Sequence, residues 1–258
     1  MPDVSANAVC TLMTGCLFIF SKGDFMSISA ENTANKNFIS AVILAAGSSS
    51  RMGIDKITAE LMGVPVIAYS IKAMAESNAD EIIIVASESN LEAIKNIADN
   101  VKTDKPIRVI TGGKTRAESA MNAFNAIDVS SDIVSVHDGA RPMVTPSLCN
   151  KVYEKAAECG GAIAAVWVKD TIKKVEDGII SATPERKYLM QAQTPQCFRR
   201  DVYKKAIEYM ASNPSDITDD ASAAEMAGCK VAVVEGDYRN IKLTTPDDFL
   251  IAQVFLKA

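Results

Sequence analysis

Between Ile39 and Lys56 the sequence reads I-S-A-V-I-L-A-A-G-S-S-S-R-M-G-I-D-K, an apolar run that stops abruptly in a small, polar, cationic loop. A run without alternation, Ala41 to Ala46, is the pattern of a strand covered on both faces, and that happens in parallel sheets. The loop after it suits an anion. Ala45, Ala46, Gly47 and Ser48 are small enough for backbone N–H groups to approach phosphate oxygens, while Arg51 and Lys56 bring two positive charges to the same place. A nucleoside triphosphate fits that description, although a strand ending in Gly and Ser beside one Arg and one Lys is also common as solvated surface. The dinucleotide fingerprint G-x-G-x-x-G and the P-loop G-x-x-x-x-G-K-[ST] are both absent from Gly47 to Gly53.

Strands and helices alternate along the rest of the chain. Glu81 to Ala86, Ile107 to Ile110, Ile133 to Val136, Ala162 to Val168 and Val231 to Val234 read as strands. Helical spacing follows at Val64 to Met74, Leu91 to Ala98, Thr115 to Ile127, Ser147 to Cys159, Asp201 to Met210 and the segment through Glu225. Asp219 and Asp220 in the first turn of that last segment suit its dipole, and Thr218 with Ala221 makes no capping box. The final helix carries Leu250 with Val254 and Ile251 with Phe255 as an apolar stripe. Such alternation predicts an α/β fold, Rossmann-like, with a mostly parallel sheet flanked by helices. Around Glu176-Asp177-Gly178 the pattern becomes two short alternating segments, and Asp-Gly is a hairpin signal. Residues 169–186 are therefore read as a projecting β-hairpin arm.

With 258 residues, a single domain over 38–258 is favoured, and 1–37 is read as a flexible extension or the product of an upstream start. The net charge of −5 speaks against a general nucleic-acid binder, and no apolar run is long enough to span a membrane. The six cysteines, at 10, 16, 149, 159, 197 and 229, form no C-x-x-C pair. They read as buried thiols in a reducing compartment, which makes the expected location cytoplasmic.

Three later stretches carry chemistry. In T-G-G-K-T-R-A-E-S, Gly112 and Gly113 close a strand and open a helix whose face offers Arg116 and Ser119 to a base or phosphate. In H-D-G-A-R-P, Asp138 at a strand end can hold Mg²⁺ against phosphate oxygens, and Arg141 either grips a phosphate or pairs with Asp138. His137, the only histidine, is read as structural, since a phosphate nucleophile is already an anion and needs no base. Thr171 and Arg186, at the ends of the arm, are candidate substrate contacts or plain exposed decoration.

Five blocks in this order, V-I-L-A-A-G-x-x-x-R-M-G, G-G-x-x-R-x-x-S, H-D-G-A-R-P, Q-T-P-Q-x-F with T-D-D-A-S, and N-I-K-x-T-T-P-x-D, resemble the 2-C-methyl-D-erythritol 4-phosphate cytidylyltransferase family from Phe38 onward. Two departures stand out: Ser49 replaces a family glycine, and only four residues separate Arg51 from Lys56. The resemblance implies a nucleotide-diphospho-sugar transferase fold and transfer of CMP from CTP to methylerythritol 4-phosphate with Mg²⁺. It implies that Arg51, Lys56 and Lys242 are catalytic and that Ala45, Ala46, Gly47, Ser48, Gly112, Gly113, Arg116 and Ser119 hold CTP, with Asp138 on the metal. Arg141, Thr171, Arg186, Thr218 and Lys242 would hold the second substrate, with Thr171 and Arg186 supplied across a homodimer by the arm. A ribitol 5-phosphate cytidylyltransferase and a non-catalytic nucleotide sensor are the competing expectations.

Overall fold

The computed structural model describes residues 36–47, 55–214 and 217–257. The expectations for residues 1–35, and those for Ser48 and Arg51, lie outside the described residues. From Asn37 onward the described residues belong to one unit.

A seven-stranded sheet organises that unit. Its strands are β1 (Ile39–Ala45), β4 (Glu81–Ala86), β5 (Ile107–Thr111), β6 (Ile133–Asp138), β7 (Gly161–Trp167), β10 (Met190–Arg199) and β11 (Ala232–Glu235). They lie in the order β11-β7-β10-β6-β1-β4-β5. All neighbours pair in parallel except β10, which runs antiparallel to both β6 and β7. Two short pairs stand apart, β2 (Glu60–Leu61) with β3 (Val64–Pro65), and β8 (Lys174–Glu176) with β9 (Ile179–Ala182).

The apolar runs make the two-sided core they predict. Ile39, Ala41, Ile43 and Ala45 pack with Ile82 and Ile84 under α1 (Val66–Glu76), α2 (Leu91–Asp99) and α4 (Pro146–Cys159). On the opposite face Val42, Ile83, Val85, Val134 and Val136 meet α3 (Arg116–Ala126), α5 (Arg200–Ser212) and α6 (Asp220–Met226). Period-two alternation divides one strand between both layers, and each fully buried Ile or Val contributes roughly 1.5–3 kcal/mol.

Three readings need correction. β10 is a strand that the sequence hid: its segment alternates Gln, Thr and Pro, and Pro195 falls where the ladder to β7 shifts register between Ala192 and Gln196. Proline is tolerated at such a bulge. Helix α6 does begin with a capping box, one residue later than the pair tested above: Asp219 accepts from Ser222 N–H at 2.8 Å, and Ser222 Oγ accepts from Asp219 N–H at 3.1 Å. In α7 (Pro246–Lys257) the proposed stripe faces outward, with Leu250, Ile251 and Val254 exposed. Ala252 and Phe249 instead pack with Leu61, Val66 and Leu243.

The arm folds as its Asp-Gly signal predicts. Asp177 and Gly178 both take positive φ, 51° and 78°, the conformation of a two-residue turn between twisted strands. Every residue of β8 and β9 is exposed, including Val175, Ile179 and Ile180. Of the described cysteines, Cys149 and Cys197 are buried as expected, with burial pushing both thiols well above their ordinary pKa, whereas Cys159 is exposed.

Candidate active site

From β1 the chain moves out to β4 and β5 on one side, then returns to lay β6 on the other. A crevice opens at the carboxyl ends where that direction reverses, and ligands of open α/β sheets bind there. Leu44 of β1 stands opposite Asp138 of β6 at this point. A cavity of about 470 Å³ occupies it.

Its walls come from the stretches singled out above. Ala46 and Gly47 line it at the end of β1, with Lys56 beyond them. Gly113, Arg116 and Ser119 line it from the start of α3, and Asp138 and Lys242 from the far side. Lys114 and Thr115 also line it. Sequence reasoning passed over Lys114, although its position between the glycines and Arg116 is itself a signal. Ala45 is fully buried behind the cavity, and Gly112 packs against Ala46 and Ser119.

The α3 side is built by local hydrogen bonds. Thr115 caps the helix by accepting from Glu118 N–H at 3.1 Å. Ser119 Oγ accepts from Gly113 N–H at 3.0 Å and donates to Thr115 O at 2.9 Å, folding the loop back on its helix. A side chain at Gly113 would put its Cβ 2.1 Å from Glu118 Cβ, so this approach requires glycine. Arg116 pairs with Asp220, whose carboxylate is buried and also lies 3.3 Å from Tyr203 Oη. Burial alone would lower the Arg116 pKa, but Asp220 outweighs it and the guanidinium stays charged. The sequence showed Asp220 only as a helix-dipole residue; its contact spans 104 positions and has no local signature.

On the opposite wall one carboxylate oxygen serves two cations. Asp138 Oδ2 is 3.1 Å from Lys242 Nζ and 3.3 Å from Arg141 Nε. Burial raises the Asp138 pKa, yet the pull of Lys242 and Arg141 more than offsets it, and the carboxyl titrates below its ordinary value. Arg141 is mostly buried and also donates through a terminal nitrogen to Asn240 O at 2.8 Å. The ion pair weighed for it from sequence is therefore formed, and Arg141 is not among the described residues that line the cavity.

His137 is fully buried, and burial pulls its pKa down to about 4. Its Nδ1 lies 2.9 Å from Thr194 Oγ1 and its Nε2 3.3 Å from Arg141 O. This is the structural histidine expected. Thr171, Arg186 and Thr218 are all exposed, and among the described residues none of them belongs to the cavity lining. Arg186 donates to Lys169 O at 2.6 Å, holding the base of the arm, while Thr218 Oγ1 lies 3.4 Å from Ser222 Oγ at the start of α6.

A mostly parallel sheet with a glycine-edged, cation-bearing cavity at its switch point defines the nucleotide-diphospho-sugar transferase class of α/β fold. Within that class the chain belongs to the 2-C-methyl-D-erythritol 4-phosphate cytidylyltransferase (IspD) family, whose model matches residues 39–258. A relative of that name from Caldanaerobacter subterraneus subsp. tengcongensis is 41% identical over 224 residues, covering 85% of this chain and 99% of its own. One from Bacillus licheniformis is 42% identical over 220 residues, covering 84% and 95%. The crystal structure of 4-diphosphocytidyl-2C-methyl-D-erythritol synthase from Anaerococcus prevotii superposes with a TM-score of 0.77 at 32% identity, covering 86% of this chain and 99% of that one.

Proposed function

We propose that this chain transfers the cytidylyl group of CTP to the 4-phosphate of 2-C-methyl-D-erythritol 4-phosphate. A phosphate oxygen of the acceptor attacks the α-phosphorus, the bond from that phosphorus to the oxygen bridging the β-phosphate breaks, and pyrophosphate leaves. The observation that carries the reading is the meeting of Lys56, Lys242 and Asp138 with the Gly113 loop in one cavity at the switch point. Attack of an anion on an anion needs positive charge and positioning more than a base. Lys56, with Arg51, would neutralise the triphosphate, and Lys242 would stabilise charge gathering at the α-phosphoryl group. Ala46, Gly47, Gly113, Arg116 and Ser119 would hold CTP.

The donor set fits Mg²⁺. Asp138 presents one oxygen to Lys242 and Arg141 and has a second to offer, and Mg²⁺ is commonly held by one or two carboxylates with water and substrate phosphates completing its shell. Bound there, the metal would supply neutralising charge to the phosphate oxygens.

The exposed apolar residues of the arm, Val175, Ile179 and Ile180, support a homodimer in which Thr171 and Arg186 of one copy would reach the acceptor phosphate in the other, with Arg141 and Thr218 completing that subsite. The test is pyrophosphate release with each of CTP, ATP, GTP and UTP, paired with methylerythritol 4-phosphate or ribitol 5-phosphate, with Mg²⁺ or with EDTA. Release confined to CTP, methylerythritol phosphate and metal is expected. Preference for ribitol phosphate would reassign the acceptor, and no release with any pair would leave a nucleotide sensor.

A further inference from the structure

The two sides of the Asp138–Lys242 pair come from segments far apart in the sequence, and one buried residue touches both. Thr194, in the middle of β10, accepts the Asp138 backbone N–H on its hydroxyl oxygen at 3.0 Å. Its carbonyl accepts from Asn240 Nδ2 at 2.8 Å. Asn240, fully buried two residues before Lys242, in turn accepts the Arg141 guanidinium on its own carbonyl. Leu243 N–H adds a direct tie to Ala140 O at 2.8 Å.

Donor directions in this cluster follow from the atoms that have no choice. Asp138 N–H can only donate, so Thr194 Oγ1 accepts from it and keeps its own proton to give. Arg141 O can only accept, so His137 Nε2 carries the ring proton and Nδ1 receives the Thr194 hydroxyl. The result is a one-way chain from Asp138 N–H through Thr194 and the His137 ring to Arg141 O. It brackets the turn that presents the Asp138 carboxylate, at both ends.

We propose that Thr194, backed by the His137 ring, is a positioning residue of the active site: its hydroxyl fixes Asp138 and its carbonyl, through Asn240, fixes the segment carrying Lys242. Thr194 itself is buried and, among the described residues, is not part of the cavity lining, so it acts through the groups it holds. Productive phosphoryl-transfer geometry tolerates little displacement of such cations and carboxylates, and a preset pair needs no rearrangement during the reaction. The kinetic part of this inference rests on the reaction proposed above; the structural part does not.

The decisive variants are Thr194→Val, which keeps the shape and removes the hydroxyl, and Thr194→Ser, which restores it. With CTP and methylerythritol 4-phosphate, T194V is expected to lose about tenfold or more in kcat while the KM for CTP changes less than about threefold, and T194S to recover most of that loss. In a crystal structure of T194V the Lys242 Nζ to Asp138 Oδ2 contact, 3.1 Å in the parent chain, is expected to open. A T194V enzyme with kcat within about twofold of the parent, or with that contact unchanged, overturns the proposal. Should T194V not fold, His137→Asn decides by the same kcat and contact criteria, since it removes the Nε2 leg to Arg141 O and leaves an amide oxygen for Thr194. An inactive parent enzyme would sink the cytidylyl-transfer reading alone, because the crystallographic comparison still decides this one.

Discussion

The wall of the cavity and the hairpin arm carry charge and apolar surface in opposite ways. At the wall, Arg116 meets Asp220, and Lys242 and Arg141 meet Asp138, all inside one chain. In the arm, Val175, Ile179 and Ile180 are exposed to solvent. Among the described residues the wall's charges are paired within the chain, whereas the arm leaves apolar side chains exposed. The two regions therefore answer to different perturbations, the wall to the loss of single charges and the arm to changes in its exposed apolar residues.

Lys242→Met tests the wall hardest. Loss of a group aimed at developing charge is expected to lower kcat by about 10²–10³-fold, roughly 3–4 kcal/mol, with the fold intact by circular dichroism; a change under tenfold would make Lys242 a bystander. Next comes acidity. His137 titrates near 4 when folded and near its ordinary 6.5 when unfolded, so the unfolded chain binds the extra proton between those values. Stability from this group is full above about pH 6.5 and declines as pH falls toward 4, by on the order of 3 kcal/mol. As His137 is the only histidine, denaturant titrations should show a slope between about pH 5 and 6.5 in the parent chain that is much reduced in H137N, the carboxylates adding their own loss only at lower pH.

Asp220→Asn should act more mildly and on binding. Removing the charged partner of Arg116 is expected to raise the KM for CTP by about tenfold, with kcat much less changed; an unaltered KM would separate Arg116 from nucleotide recognition. Smallest in stability, Ile179→Asp with Ile180→Asp should leave monomer unfolding within about 0.5 kcal/mol of the parent while shifting sedimentation from dimer to monomer. Sedimentation unchanged by these charges would break the contrast between wall and arm.

What could be read in the sequence tracks how local each signal is. The parallel strands showed as unbroken apolar runs, Asp177-Gly178 announced its turn, and the glycines at 47 and 113 marked the cavity edge. β10 did not show, because Gln191, Gln193, Thr194 and Gln196 break up its apolar residues and a proline interrupts the run. The contacts that fix the charges were also hidden: Thr194 lies 56 positions from Asp138, and Asp220 lies 104 from Arg116. Tertiary packing alone makes such pairs, and no spacing rule encodes them. The α7 stripe failed for the converse reason, a helical period that was real but turned away from the core.

The place of β10 between β6 and β7 also bears on the order in which a newly made chain becomes competent. β1, β4, β5 and β6 all lie within the first 138 residues and are neighbours in the sheet, so that half can assemble while the remainder is still being translated. Asp138 then already ends a folded strand, but Thr194, which holds its backbone N–H, and Lys242 are yet to emerge. A nascent chain thus acquires its parallel scaffold well before the segments that carry Thr194 and Lys242 reach the cavity wall.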